Sequence, residues 1–493
     1  MLVSGSQPYS LTLYKNLLFW TDWKQESVSR LDLTRPADTQ TLLHTGLDYV
    51  MDLLAFHHGP ANTTNTSSPH PCSASPPPCA GLCTAGGHHG SGNLTAVCSC
   101  PSHYSLGPDG VSCQGPPSFL LFSQKNKISR LLIDRAGRPG EVPDVVLPIK
   151  RARSIQALDY NPWDQMIYWV DHGKGGEQPA RQVIKRSRDT GETDKLGLFE
   201  KMDKFLPFDI AIDPYTQLLY WTCEKSNTIN VTRINGGDMK PLGPLLVGGA
   251  EDLPRLLAIF PRRQILFVSM SGEAAGGARL DMIHLQTGEK SPLVNTSVGE
   301  ITAMAVDAET SSIYWTDILL KRMDWIVLET RERRTLISEG LIEPVGLAVQ
   351  GGWVYWADRD QASIVRVDKL TGTSRQTVLT KISRLSSLAA VNHIPAEVLA
   401  AHPCHSPELH GCSHFCAPEA DGGGGGAVCY CPVGAVLLED RRTCGSPSCK
   451  PTEFTCAGKG PAGDGPMCIP HTWRCDGQVR TSKNVPCYKD ERI

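Results

Sequence analysis

At 493 residues the chain is too long for a single hydrophobic core and must divide into several domains. Hydrophobic residues at 40% and charged residues at 20% describe ordinary globular protein, which excludes a disordered tail. A formal net charge of -3, with no long basic run, argues against nucleic acid as a partner.

Residues 8–58 begin with strand grammar. Ser10-Leu11-Thr12-Leu13-Tyr14 alternates apolar and polar, Lys15-Asn16 turns, and Leu17 to Trp23 forms the next strand. Val28 to Leu33 supplies a third strand, and an apolar segment follows from Leu47 to Phe56. The stretch Phe19-Trp20-Thr21-Asp22 recurs later as Tyr168-Trp169-Val170-Asp171, Tyr220-Trp221-Thr222-Cys223, Tyr314-Trp315-Thr316-Asp317 and Tyr355-Trp356-Ala357-Asp358. Looser relatives stand at Phe122 and Phe267. The steps from 122 to 355 run from about 41 to about 52 residues, a period that marks repeat architecture.

Residues 57–78 are rich in Pro, Ser, Thr, Asn and His and read as a loose lead-in. Six cysteines follow (Cys72, Cys79, Cys83, Cys98, Cys100 and Cys113), with the Cys-x-Cys step of an EGF-like module. Six cysteines allow 15 connectivities, and spacing alone does not choose among them. From 117 to 400 the repeat dominates. Short strands at even spacing predict an all-β fold, and six units of about four strands suit a radial propeller with few free edges.

Within the aromatic strand, alternation sends Tyr314 and Thr316 toward one neighbouring blade and Trp315 and Asp317 toward the other. The Asp is then expected to bind backbone groups of the adjacent blade that would otherwise be orphaned. Asp317 and Asp358 are therefore read as structural, with no catalytic role. Cys223 takes the Asp position of its blade and is expected to be a buried, inert thiol.

Residues 401–445 carry a second module with Cys404, Cys412, Cys416, Cys429, Cys431 and Cys444, one of whose loops is lengthened by Gly422 to Gly426. Five more cysteines lie at 449, 456, 468, 475 and 487, around Cys468-Ile469-Pro470 and Trp473-Arg474-Cys475-Asp476-Gly477. Cysteines clustered in short polar segments imply an oxidising compartment. Sequons at Asn62, Asn65, Asn93, Asn230 and Asn295 agree with secretion. No signal peptide follows Met1, and no apolar run reaches the roughly 18 residues that span a bilayer. The chain reads as an internal piece of a larger secreted or membrane-anchored protein.

This order of parts resembles the low-density lipoprotein receptor-related family, whose Wnt co-receptors, members five and six, share its details. The likeness is carried by the segments His44 to Asp52, Phe119 to Lys125, Trp221 to Val231 and Ala401 to Cys404. It implies the last blade of an incomplete propeller at 1–60, an EGF-like module at 61–116 and a six-bladed YWTD β-propeller at 117–400. A second EGF-like module at 401–445 and an incomplete receptor class A module with a divergent tail at 446–493 complete the series. It implies the disulfides Cys72–Cys83, Cys79–Cys98 and Cys100–Cys113, and Cys404–Cys416, Cys412–Cys429 and Cys431–Cys444. It further implies docking of Wnt or Dickkopf-type proteins on propeller faces beside a Frizzled-type receptor, on the extracellular side of the plasma membrane. Trp23, Tyr49 and Met51 match the family's aromatic and Met anchors.

The end departs from the family. Gln478 to Ile493 is basic and polar where a class A module needs the acidic residues of a calcium cage, so no bound calcium, and no other cofactor, is expected. A secreted fragment or truncated, non-signalling form and a matrix scaffold of nidogen type are the alternatives. An enzyme is not expected, because no G-x-S-x-G elbow, His-Glu-x-x-His helix or P-loop is present. His57, His58, His88 and His89 sit in loops and read as solvated. Trp163, Trp325 and Trp353 stand outside the aromatic strand position and are the expected contact residues of the complete propeller.

Overall fold

The computed structural model describes residues 8–22, 26–34, 41–45, 52–55, 71–74, 76–87, 94–133, 144–149, 152–172, 182–189, 191, 206–235, 238–248, 252–271, 277–405, 411–419, 426–438 and 440–445, with backbone strands at 453–459, 466–470, 481–482 and 485–486. The chain divides into two compact units, 1–76 and 77–493.

The first unit is one antiparallel sheet of Pro8–Tyr14, Leu17–Asp22, Ser27–Asp32 and Thr41–Thr45, in that order. Its second and third strands bury Trp20, Thr21, Asp22 and Leu31. Its first strand instead leaves Tyr9, Leu11 and Leu13 exposed. Leu53 and Ala55 run beside that strand, donating backbone N–H groups to Ser10 Oγ (3.1 Å) and Thr12 Oγ1 (3.0 Å).

The second unit contains six sheets, each running from an inner strand through the aromatic strand to the outside, as the repeat predicts. Blade 2 has three strands and the others four, among the described residues. Blade 5 shows the pattern: Ile301–Asp307, Ser312–Asp317, Arg322–Val327 and Arg333–Ile337. Blade 1 takes its inner strand, Leu385–Asn392, from the far end of the repeat region. That strand pairs antiparallel with Ser118–Gln124 and closes the ring, which removes its open edges.

Alternation in the motif places its aromatic side chains as expected. Tyr314 packs with Trp325, Leu347 and Trp356 toward blade 6, whereas Trp315 packs with Phe267 and Leu280 of blade 4. The motif tryptophans of blades 2, 5 and 6 and all four motif tyrosines are essentially fully buried, so the motif is interblade packing. Cys223 is a buried free thiol among Trp221, Ile210 and Ile234, as expected from its apolar neighbours.

The two small modules form the pairs Cys79–Cys98, Cys100–Cys113, Cys404–Cys416, Cys412–Cys429 and Cys431–Cys444. Cys72 and Cys83 are disulfide-bonded as well. In the last segment the backbone forms a hairpin of Glu453–Lys459 with Pro466–Pro470.

Candidate functional site: the open face of the ring

An antiparallel meander puts its turns alternately on two faces of the ring. One face collects the turns from inner to aromatic strand and from third to fourth strand. The second EGF-like module sits there. Trp163 stacks on His405 (4.6 Å between ring centroids), and Tyr215 meets His402 (5.4 Å). Gln286 Nε2 donates to the Pro418 carbonyl (2.6 Å), and Phe415 enters the core cluster of blades 3 and 4 beside Tyr220 and Leu285. The first module attaches at the same face. Arg130 pairs with Asp189 (2.8 Å), reaches the Ser102 carbonyl (3.2 Å) and lies over the Tyr104 ring (5.0 Å), while Tyr104 donates its hydroxyl to Asp189. Burial and the bond to Asp189 push the Tyr104 hydroxyl up from its ordinary value.

The opposite face carries the hairpins from aromatic to third strand and the loops from blade to blade. Among the described residues neither module touches it. The motif aspartates build this face. Asp317 accepts from the backbone N–H of Gly299 (2.6 Å), Glu300 (3.1 Å) and Leu320 (3.0 Å). Asp358 does the same for Ile342 (3.0 Å), Glu343 (3.3 Å) and Gln361 (3.0 Å), and Asp171 for Ser154 (2.8 Å). Each carboxylate thereby holds the loop entering its own blade, and in blades 5 and 6 the hairpin beyond it, where alternation predicted the backbone of the adjacent blade; the strand end brings the carboxylate level with its own turns. Three charge-assisted bonds to one buried carboxylate make a stiff joint.

Arginines hold the same loops from the other side. Arg333 lies over Trp315 (5.2 Å) and donates to the carbonyls of Thr296 (2.7 Å) and Ser297 (2.8 Å). Arg375 lies over Trp356 (5.1 Å) and donates to the Gly340 carbonyl (3.0 Å). The motif reading missed these clamps. A signal for them existed, because Arg333 and Arg375 follow their tryptophans at almost the same spacing.

On these pinned loops Leu319, Leu320 and Ile342 are 66%, 43% and 49% exposed. Aliphatic side chains held in water by fixed backbone are the feature expected of a docking anchor. Beside them Arg359 pairs with Glu343 (2.6 Å) and donates to the Leu385 carbonyl (2.9 Å).

The three expected contact tryptophans are not on this face. Trp163 stacks on His405 and stays 40% exposed, Trp325 is 6% exposed and stacked on Tyr314 (5.5 Å), and Trp353 lies half-buried under the Arg366 guanidinium (4.2 Å). Large rings beside turns are glue here, for the module or for the next blade. Trp23, Tyr49 and Met51 lie outside the described residues, as do Asn62, Asn65, Asn93 and the four loop histidines. Asn295 is exposed on the open face, whereas Asn230 is half-buried and donates its amide to Thr228 Oγ1 (2.7 Å).

A central channel of about 890 Å³ runs between the inner strands. Asp159 and Asp209 are among the carboxylates that line it. Asp159 accepts from the Ile212 N–H (2.8 Å), and Asp209 from the Leu257 N–H (2.7 Å), so each ties its blade to the next. Burial pushes them up to about 6 and about 7. Both are occupied by backbone donors, and their role is the joint between blades. No group of three or more metal-binding side chains occurs among the described residues.

Comparison with known proteins agrees with this architecture. Human low-density lipoprotein receptor-related protein 5 is 36% identical over 478 residues, covering 95% of this chain and 27% of that protein. The chain belongs to the low-density lipoprotein receptor-related protein family. The mouse protein 5 is 37% identical over 480 residues, with the same coverages. Human low-density lipoprotein receptor-related protein 4 is 29% identical over 433 residues, covering 87% of this chain and 21% of that protein. The chain thus spans about a quarter of the length of these curated relatives. No family model matches. Among solved structures, one titled as a nidogen/laminin complex matches 56% of this chain and 100% of its own, at 21% identity and a TM-score of 0.48. Among the described residues no helix is long and apolar enough to cross a membrane.

Proposed function

We propose that the chain is an extracellular ligand-docking segment of a Wnt co-receptor-like protein, in which the open face of the complete propeller receives Wnt or Dickkopf-type proteins beside a Frizzled-type receptor. The observation that carries this reading is the exposed trio Leu319, Leu320 and Ile342 on loops fastened by Asp317 and Asp358. A protein ligand gains affinity from apolar anchors that pay little ordering entropy on binding, which is what fastened loops provide. The kinship with low-density lipoprotein receptor-related protein 5 supports the class of ligand. Disulfide-bonded modules support the extracellular placement.

The test is binding of the secreted chain to immobilised Wnt and Dickkopf proteins. Leu319→Arg with Ile342→Arg should weaken retention at least tenfold, on the order of 1.4 kcal/mol or more. Retention equal to the parent's would remove this face from the proposal.

A further inference from the structure

The open face is not uniform in charge. On blades 3 to 6 both signs are interspersed: Glu224 pairs with Arg255, Asp252 with Arg279 and Lys290, and Glu343 with Arg359, and exposed Glu300 and Asp360 stand among exposed Lys225 and Lys321. Across the loops from blade 6 through blade 1 to blade 2 the pattern changes. Lys381 and Arg384, Lys125 and Lys127, and Arg153 are all exposed, and none has an ion-pair partner among the described residues. Asp360, in the outer hairpin of blade 6, is an exposed carboxylate of the same face outside these loops.

The three loops that carry these five cations are laced into one surface. Lys125 N–H donates to the Arg384 carbonyl (3.1 Å), and Ile155 N–H donates to the Lys125 carbonyl (2.7 Å). Asp171 pins the third loop through the backbone N–H groups of Arg153 and Ser154. A chain with a net charge of -3 therefore concentrates five unneutralised positive charges on a continuous arc. Among the described residues their mutual repulsion is left uncompensated, which is the arrangement expected where an external anion supplies the counter-charge.

We infer that this arc binds a sulfated polysaccharide of the glycosaminoglycan type. The residues of the arc, 124–127, 152–154 and 380–384, expose no large apolar side chain, since Ile382 is buried. A protein ligand would want an apolar anchor there. A regularly sulfated chain needs only a line of solvated cations on long flexible stems, which neutralise its charge and release its counterions. The inference stands independently of protein docking at Leu319, Leu320 and Ile342, which lie outside these loops.

Heparin is the probe, with the full chain as the sample. The parent chain should be retained on a heparin column beyond physiological ionic strength, about 0.15 M. Its affinity should fall steeply with salt, with a log–log slope on the order of −4 if five charges are engaged. Lys125→Glu with Lys127→Glu should cut affinity at least tenfold, and adding Lys381→Glu with Arg384→Glu should abolish retention. Lys225→Glu, exposed on blade 3 of the same face, should leave it unchanged. None of these side chains has an ion-pair partner among the described residues, so the variants should melt with the parent. Retention lost below 0.1 M salt, equal sensitivity to Lys225→Glu, or equal competition by an acidic polypeptide such as poly-glutamate would each overturn the inference; the last would assign the arc to an acidic protein segment.

Discussion

The two faces of the ring use the same repeat in opposite ways. On the covered face, turns end in aromatic side chains that stack on the second module, as Trp163 does on His405 and Tyr215 on His402. On the open face, turns are fastened from below by motif carboxylates, and their side chains are left in water, as Leu319 and Ile342 are. One face derives its order from a partner already in the chain; the other derives it from the blade itself. An open surface that stays ordered without a partner is what a receptor needs, because ligand binding then costs little conformational entropy.

The strongest way to break this contrast is to unseat the covered face. Phe415 is fully buried among Tyr220, Leu285 and Tyr430. Phe415→Ala should cost about 3–5 kcal/mol of module docking. Hydrogen exchange in Phe415–Pro418 would report it, with the hairpins of blades 5 and 6 unchanged. Equal loosening on both faces would mean that the open face also depends on the module.

The converse experiment removes a fastening of the open face. Asp317→Ala leaves three backbone N–H groups without their acceptor and should cost about 2–4 kcal/mol, read from the urea midpoint. Cys223 shows that a blade can dispense with the carboxylate. There the thiol is packed in apolar surroundings, and Glu224 N–H keeps the bond to the Leu206 carbonyl (3.1 Å) that Ile318 and Arg359 make to Glu300 and Glu343 in blades 5 and 6. Cys223→Asp should therefore destabilise blade 3, whereas the Asp is required in blades 5 and 6.

Acid separates the channel from the covered face. The folded ring holds protons on Asp159 and Asp209 up to about 6 and about 7, above the ordinary carboxylate value of 3.8. Between pH 4 and 7 the native state thus binds more protons than the unfolded chain, so these two groups make it more stable as pH falls through that window. His402 acts oppositely. Burial, reinforced by His405, lowers it from 6.5 to about 4, so its contribution is complete above about 6.5 and is lost as pH falls toward 4. Asp209→Asn should raise the Tm at pH 7.5 and flatten its rise between pH 7.5 and 5.5, an effect on the order of 1–2 kcal/mol after allowing for channel water. A parent Tm that rises no more than that of the variant over this window would contradict the raised carboxylates.

Most of the fold was legible because the repeat is a packing device, and packing devices must recur wherever the same neighbours recur. The period located all six aromatic strands, and alternation correctly sent Tyr314 and Trp315 to different blades. Ring closure by Leu385–Asn392 was not legible, since nothing local distinguishes an inner strand that joins its own blade from one that joins the first. The placement of the three tryptophans was not legible for a related reason. Trp163, Trp325 and Trp353 were judged by exposure expected from their place outside the motif, yet exposure depends on which turn face the module occupies and on guanidinium stacking. Leu319 and Ile342 carry no compositional signal at all; an aliphatic residue in a turn looks accidental until the loop is seen to be pinned.

That last point yields the smallest expected effect and the sharpest check on the two-face contrast. If Leu319, Leu320 and Ile342 are held in water by backbone fastenings alone, their side chains contribute little to folding. Leu319→Ser, Leu320→Ser and Ile342→Ser should each shift stability by no more than about 0.5 kcal/mol, as surface substitutions do. Leu341, next to Ile342 but 2% exposed, supplies the internal reference. Leu341→Ala should cost about 2–4 kcal/mol in the same urea titration. A loss at Leu319 or Ile342 approaching that of Leu341 would mean that another part of the chain covers this face, and the distinction between the open and the covered side of the ring would collapse.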